Sequence, residues 1–187
     1  MAPLIALAAC SRPQTPEVLI VTVDTLRADR LGYAGHAAAR TPALDALAGE
    51  GRAFLQATTP FPRTTPALAS MLTGLWPHHH GSREVGQPMT SGTTLASVLS
   101  AAGWRTVGLS ATPVAGPEQG LAAGFDAFEV MADARASEVV DRALLAVAAQ
   151  PDRPLLMWVH AADPHFPYLP PDDGPLRPDA PRCRRLG

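Results

Sequence analysis

The chain contains no lysine. All 15 of its basic residues are arginine, so no ammonium group is available for binding an anion. Aromatic residues make up 5% of the sequence and the formal net charge is −2. Those values supply neither a base-stacking surface nor an electrostatic pull on a polyanion, and they exclude nucleic acid as a partner. Charged residues are scarce at 17%, against 47% hydrophobic, a balance that excludes a disordered chain and fits one globular α/β domain. The missing lysine, with abundant Ala, Pro and Gly, matches the coding bias of a GC-rich bacterial genome.

Cysteine occurs only twice. Cys183 lies in an irregular Pro- and Arg-rich tail, residues 172–187, and reads as a bystander. Cys10 closes the run Leu7-Ala8-Ala9-Cys10 after an apolar start. That run resembles a bacterial lipobox, although the usual positively charged n-region is absent. The apolar stretch is too short to span a bilayer, which takes roughly 20 residues. Lipidation of Cys10 would make residues 1–16 a signal and tether, holding the protein on a membrane outside the cytoplasm. The plain alternative is a frayed apolar N-terminus.

Between these ends, strands alternate with helices. Glu17 to Val23 is a continuous β-branched and aliphatic run, expected to be a strand buried on both faces of a parallel sheet. Thr41 and Pro42 open a helix that stops near Gly49 or Gly51. Arg52 to Thr58 reads as a short second strand. Pro66 to Leu72 reads as a helix capped by Thr64 or Thr65 and closed by Gly74. Thr93 to Ala102 is a helix, Trp104 to Leu109 a strand, and Pro154 to Val159 a further buried strand. A helix over Ala134–Ala149 has Val139, Val140, Leu144, Leu145 and Val147 as its apolar residues. The alternation predicts a doubly wound, mainly parallel sheet, in which ligands bind beyond the carboxyl ends of the strands. Asp24 and His160 both fall at such ends.

Asp24 at a strand end suits a hard cation or the capping of the turn that follows. The string Val21-Thr-Val-Asp24-Thr-Leu-Arg27-Ala-Asp29-Arg-Leu31-Gly32 resembles the first signature of the sulfatase family, within the alkaline phosphatase superfamily. The resemblance implies that Asp24 binds a divalent metal, with Ca²⁺ expected and Mn²⁺ or Zn²⁺ as alternatives. Thr25 stands where that family often has a second Asp. Asp29 reads as structural, paired with Arg27, Arg30 or the turn.

Thr64-Thr-Pro66-Ala-Leu68-Ala-Ser-Met-Leu72-Thr-Gly74 resembles the family's nucleophile segment. It implies that Thr64 is the nucleophile and a metal contact, just before a helix whose free N–H groups favour an oxyanion. By residue type alone, Thr64 and Thr65 are equally helix caps. Formylglycine, the modified Cys or Ser of sulfatases, is not expected, because the residue is Thr and Leu68 replaces the required Arg.

Trp76-Pro77-His78-His79-His80-Gly81 resembles the Tyr-Pro-x-x-His-Gly element of the family, which singles out His80 as a substrate-side or loop-ordering residue. His78 and His79 read as solvated. Ser110-Ala-Thr-Pro113 replaces the Lys-Trp-His cluster that grips sulfate in arylsulfatases. Gly124-Phe-Asp126 fits a structural turn. Val159-His160-Ala-Ala-Asp163-Pro-His165-Phe-Pro-Tyr168 resembles the family's Val-His and Asp-Pro-His-x-Pro-Tyr segment. It implies that His165 lines the substrate pocket and hydrogen-bonds the ester or protonates the leaving group, with His160 as a neighbour on the substrate or a strand-end residue bonded to backbone. Asp163 is expected to cap the Asp-Pro turn.

The likeness runs from about Glu17 to Pro171. It implies a hydrolase of sulfate, phosphate or phosphonate esters, on small molecules or glycans. The family's later metal-binding pair, Asp-His or Asp-Asn, has no counterpart before Gly187. The expectation is therefore an N-terminal part with an incomplete C-terminal half, inactive as given. A non-catalytic lipoprotein or a gene fragment keeping the fold are the competing readings.

Overall fold

The computed structural model describes residues 15–149 and 152–166. Its centre is a four-stranded sheet in the order β1-β4-β2-β3, formed by β1 (Glu17–Val23), β2 (Arg105–Ser110), β3 (Ala127–Val130) and β4 (Leu155–Ala161). All three pairings are parallel. Helices lie on both faces, so the expected doubly wound α/β architecture is what forms. Cys10 and the 172–187 tail lie outside the described residues.

The pleat of β4 shows how the layers are built, because alternate residues of a strand face opposite sides. Leu155, Met157 and Val159 join Val107 and Leu109 of β2 in one apolar cluster, which is closed by Val139 and Ala143 of helix α5 (Ala136–Ala148). Trp158 points the other way, into a cluster with Leu68, Ala69 and Leu72 of α2 (Thr64–Thr73). Phe125 and Phe128 flank the Trp158 ring at centroid separations of 6.1 and 5.9 Å. His160 has the same parity as Trp158 and continues that face to the strand's carboxyl end.

Several sequence expectations need correction. Among the described residues β1 is parallel but lies at the sheet's edge: Leu19 and Val21 are 64% and 58% exposed, and α5 packs mainly on β4 and β2. Residues 52–58 form no strand. With no neighbour offering a ladder, Phe54 stays 75% exposed. The apolar residues of α5 do not all face the core, since Val140, Leu144, Leu145 and Val147 are exposed. β3, directly after the Gly124-Phe-Asp126 turn, was not among the expected strands.

Helix ends follow local chemistry more closely. α1 (Pro42–Glu50) starts after Thr41 and stops at Gly51 as expected. α2 begins one turn position early, with Arg63 as N-cap, so Thr64 and Thr65 are its first two helical residues. Gly74 ends α2 in the left-handed conformation at φ 69°. A single short turn, α3 (Pro77–His80), follows, then α4 (Leu95–Ala101), whose N-cap hydroxyl on Thr94 accepts the Ser97 N–H at 3.0 Å. The Gly124-Phe-Asp126 turn is structural: at φ 82° Gly124 lies against the Ser97 backbone, where any Cβ would overlap it. Asp126 then accepts the Thr106 N–H at 3.1 Å.

Candidate active site

Asp24 is the first residue past β1, and its N–H donates to the Ala161 carbonyl at 2.8 Å. That bond extends the β1–β4 ladder by one step and fixes the carboxylate at the sheet's carboxyl edge. Directly after it, Thr25 takes φ 55°. A β-branched residue in this left-handed region is strained, and the chain turns sharply there. Thr25 is exposed and does not line the cavity described below.

The two threonines that open α2 have separate tasks. Thr65 is fully buried; its hydroxyl donates to the Val114 carbonyl at 2.8 Å and accepts the Gly86 N–H at 2.8 Å, tying two loops to the helix. Thr64 makes no capping bond to its own helix. Its Oγ1 instead donates across to Asp24, at 3.1 Å from Oδ2 and 3.3 Å from Oδ1. Thr65 thus braces two loops, while the Thr64 hydroxyl faces the Asp24 carboxylate.

His160, at the end of β4, comes to the same place. Its Nε2 is 3.9 Å from Asp24 Oδ2, with side-chain exposures of 2% for His160 and 13% for Asp24. Nδ1 lies 2.8 Å from Thr22 Oγ1, a side-chain contact and not the backbone bond considered from sequence. Burial holds the imidazole below its ordinary basicity, and the Asp24 charge opposes that shift in part.

A cavity of about 670 Å³ opens over this cluster, lined by Asp24, Thr64, Thr112, Arg135, Asp163 and His165 among others. His165 Nδ1 is 2.7 Å from the Phe166 carbonyl. A carbonyl only accepts, so Nδ1 carries a proton. Asp163 caps α5 and not its own turn: Oδ2 accepts the Ala136 N–H at 2.8 Å, satisfying the first donor of that helix.

His80 is outside the cavity. It is fully buried; Nδ1 accepts the Ser82 N–H at 3.2 Å and Nε2 is 2.9 Å from Ser70 Oγ. These bonds order the α2–α3 corner and leave neither ring nitrogen for a substrate. His78 and His79 are exposed, as expected. Asp29 pairs with Arg27, at 2.6 and 2.9 Å. Leu68, at the position of the missing Arg, is part of the Trp158 cluster.

Sequence reasoning missed three participants. Thr22 was an unremarked strand residue, though its alternation with Asp24 on one face was legible. Arg135 and Asp133 precede α5 and reach the cavity only through the fold.

Hydroxyl, carboxylate and imidazole groups gather here beyond the carboxyl ends of parallel strands, where ligands bind in open α/β sheets. Comparison with known proteins narrows the class. The sulfatase family model matches residues 16–177, and the chain belongs to the sulfatase family. It is 38% identical over 93 residues to an arylsulfatase of Clostridium perfringens, a match covering 49% of this chain and 19% of that enzyme. Identity to the ulvan-active sulfatase of Formosa agariphila is 43% over 65 residues, covering 35% and 13% respectively. The matched region is thus under a fifth of either curated relative's length.

Among solved structures, the phosphonate monoester hydrolase of Agrobacterium radiobacter superposes with a TM-score of 0.66 at 21% identity, covering 84% of this chain and 43% of that one. The C-terminal periplasmic domain of EcEptC from Escherichia coli gives 0.67 at 19% identity, covering 86% and 47%, and has also been solved with zinc. At these identities the likeness establishes the shared fold.

Proposed function

We propose that the chain carries the nucleophile half of a hydrolase acting on sulfate esters or the related phosphate and phosphonate esters. The observation that carries this reading is the Thr64 hydroxyl donating to Asp24 at 3.1 Å on the wall of a cavity that also holds His165.

In this reading Thr64 Oγ1 passes its proton to the Asp24 carboxylate it faces and attacks sulfur or phosphorus. The bond to the leaving oxygen breaks as that oxygen takes the Nε2 proton of His165 in its doubly protonated form, the Nδ1–H staying on the Phe166 carbonyl. Arg135 supplies the cation for the anionic ester that the Ser110–Pro113 segment lacks. His80 acts only by ordering the corner behind α2. The oxygen donors of Asp24 and Thr64 suit a divalent cation, which would lower the pKa of the Thr64 hydroxyl. Among the described residues no cluster of three His, Cys, Asp or Glu groups forms, so these two oxygens are a partial donor set. Support for the ion comes from the zinc complex of the EcEptC domain; Ca²⁺ is the cation chosen here for oxygen donors. Formylglycine has no precursor at Thr64.

Glycan sulfates are a substrate class consistent with the ulvan-active relative. The periplasmic EcEptC domain supports a place outside the cytoplasm, and Cys10 is the proposed lipid anchor. Among the described residues no helix is long and apolar enough to cross a membrane.

The deciding experiment uses a form that also carries the second half of the fold, and assays aryl sulfate against aryl phosphate with added Ca²⁺ or Mn²⁺. Thr64→Ala should lower turnover at least about 10³-fold, as loss of a nucleophile does. Unchanged turnover in that variant sinks the assignment. Cys10→Ala should move the protein from the membrane fraction to the soluble one.

A further inference from the structure

Where β1 and β4 meet, the proton on His160 is set by its neighbours. The Trp158 indole can only donate, and it donates to Thr22 Oγ1 at 3.0 Å. The Thr22 hydroxyl has one proton of its own and two acceptors in reach, His160 Nδ1 at 2.8 Å and the Val159 carbonyl at 3.4 Å. The first is a full-strength distance; the second is at the outer edge of hydrogen bonding. The other pattern, Nδ1–H donating to Thr22 Oγ1, would load that oxygen with two donors and leave its own proton only the 3.4 Å contact, so the distances favour Nδ1 as the bare nitrogen.

The second nitrogen, Nε2, is buried and has no hydrogen-bond partner among the described residues. The charged group it faces is Asp24, with Oδ2 at 3.9 Å. A bare Nε2 would set a lone pair against that carboxylate. An Nε2–H turns the positive end of its dipole toward the same oxygen. Hydrogen-bond lengths and electrostatics thus select one tautomer.

We propose that the Trp158–Thr22 relay locks His160 as the Nε2–H tautomer, and that this N–H positions the Asp24 carboxylate instead of touching substrate or ligating a metal. Asp24 is then held from three directions: its own N–H on Ala161, the Thr64 hydroxyl, and the His160 N–H dipole from within the sheet. At 3.9 Å the last is longer than a direct bond, so His160 steers the carboxylate without competing with Thr64 for its lone pairs. Buried outer partners that orient a first-contact carboxylate commonly decide its geometry. The role rests on the proposed function of Asp24, whereas the tautomer does not.

The test is nitrogen-15 NMR of the histidine rings in the full chain, with the Asp24 carboxyl carbon observed in parallel. The expected result is His160 Nδ1 in the unprotonated range and Nε2 in the protonated range. Thr22→Val should erase that asymmetry and Thr22→Ser preserve it. His160→Ala should shift the Asp24 carboxyl signal. His160→Gln, whose amide nitrogen replaces Nε2–H, should return it toward wild type. A protonated Nδ1 with a bare Nε2 in the wild-type chain overturns the proposal, and needs no variant to fold. So does an Asp24 signal indifferent to both His160 substitutions. If the tautomer is as stated but Asp24→Asn leaves divalent-ion uptake unchanged, the proposed function of Asp24 fails while the relay stands.

Discussion

Thr64 Oγ1 and Asp24 Oδ2 stand 3.1 Å apart although 40 positions separate them in the chain. The first opens a helix and the second ends a strand, so the contact joins α2 to the sheet edge at the mouth of the cavity. Both groups are oxygen donors, and one is charged.

Asp24→Asn keeps the size and an acceptor for the Thr64 hydroxyl but removes the charge. The expected outcome is a fold of nearly unchanged stability with Mn²⁺ affinity weaker by at least roughly tenfold, because ligand charge dominates hard-cation binding. Calorimetric titration of both proteins checks it, and equal affinities would remove Asp24 from the cation site.

Arg135 is the guanidinium on the cavity wall, and the segment 110–113 brings no cation there. Its contact would be with an anion present in both ground and transition states. Arg135→Ala should therefore raise KM about tenfold with little change in kcat. A fall in kcat at constant KM would instead place Arg135 on the charge that develops during reaction.

The mainly parallel α/β sheet was legible from strands alternating with helices, and Asp24, Thr64 and His165 were singled out because each lies in a short stretch that resembles a family motif. A β-branched run ended by Asp, a Thr-Pro helix start closed by Gly, and an Asp-Pro-His turn all announce themselves within a few residues. The failures share a different cause. Whether Leu19 is buried depends on where α5 lands, and whether residues 52–58 pair depends on a neighbouring strand that the run cannot specify. The parts played by Thr22 and Arg135 escaped for the same reason, since they exist only through contacts made across the chain. Thr64 and Thr65 could not be separated by type; the loops that Thr65 braces decide it.

His80 provides a pH dependence of known sign. Its Nδ1 accepts the Ser82 N–H, so the ring is folded in as a neutral base, and burial lowers its pKa from 6.5. A lowered folded pKa means the unfolded chain binds the proton first. Stability is intact above the ordinary histidine range and is lost progressively as the pH falls below it toward the lowered value. Thermal unfolding followed from about pH 8 to about pH 5 should show a falling midpoint. His80→Gln should flatten that slope, even if it lowers stability at neutral pH through lost packing.

Asp163 links the loop bearing His165 to the start of α5, its Oδ2 accepting the Ala136 N–H at 2.8 Å. Two effects are combined there: a hydrogen bond to an otherwise orphaned donor, and a negative charge at the positive end of a 13-residue helix. Asp163→Asn keeps the first and loses the second, so it should cost a few tenths to about 1 kcal/mol. Asp163→Ala loses both and should cost about 1–2 kcal/mol. Denaturant unfolding of the two variants separates the contributions. Because His165 is two residues along the same turn, the Ala variant should also weaken turnover in the ester assay while the Asn variant largely retains it. Equal losses in both would mean that charge, and not the tether, holds the loop.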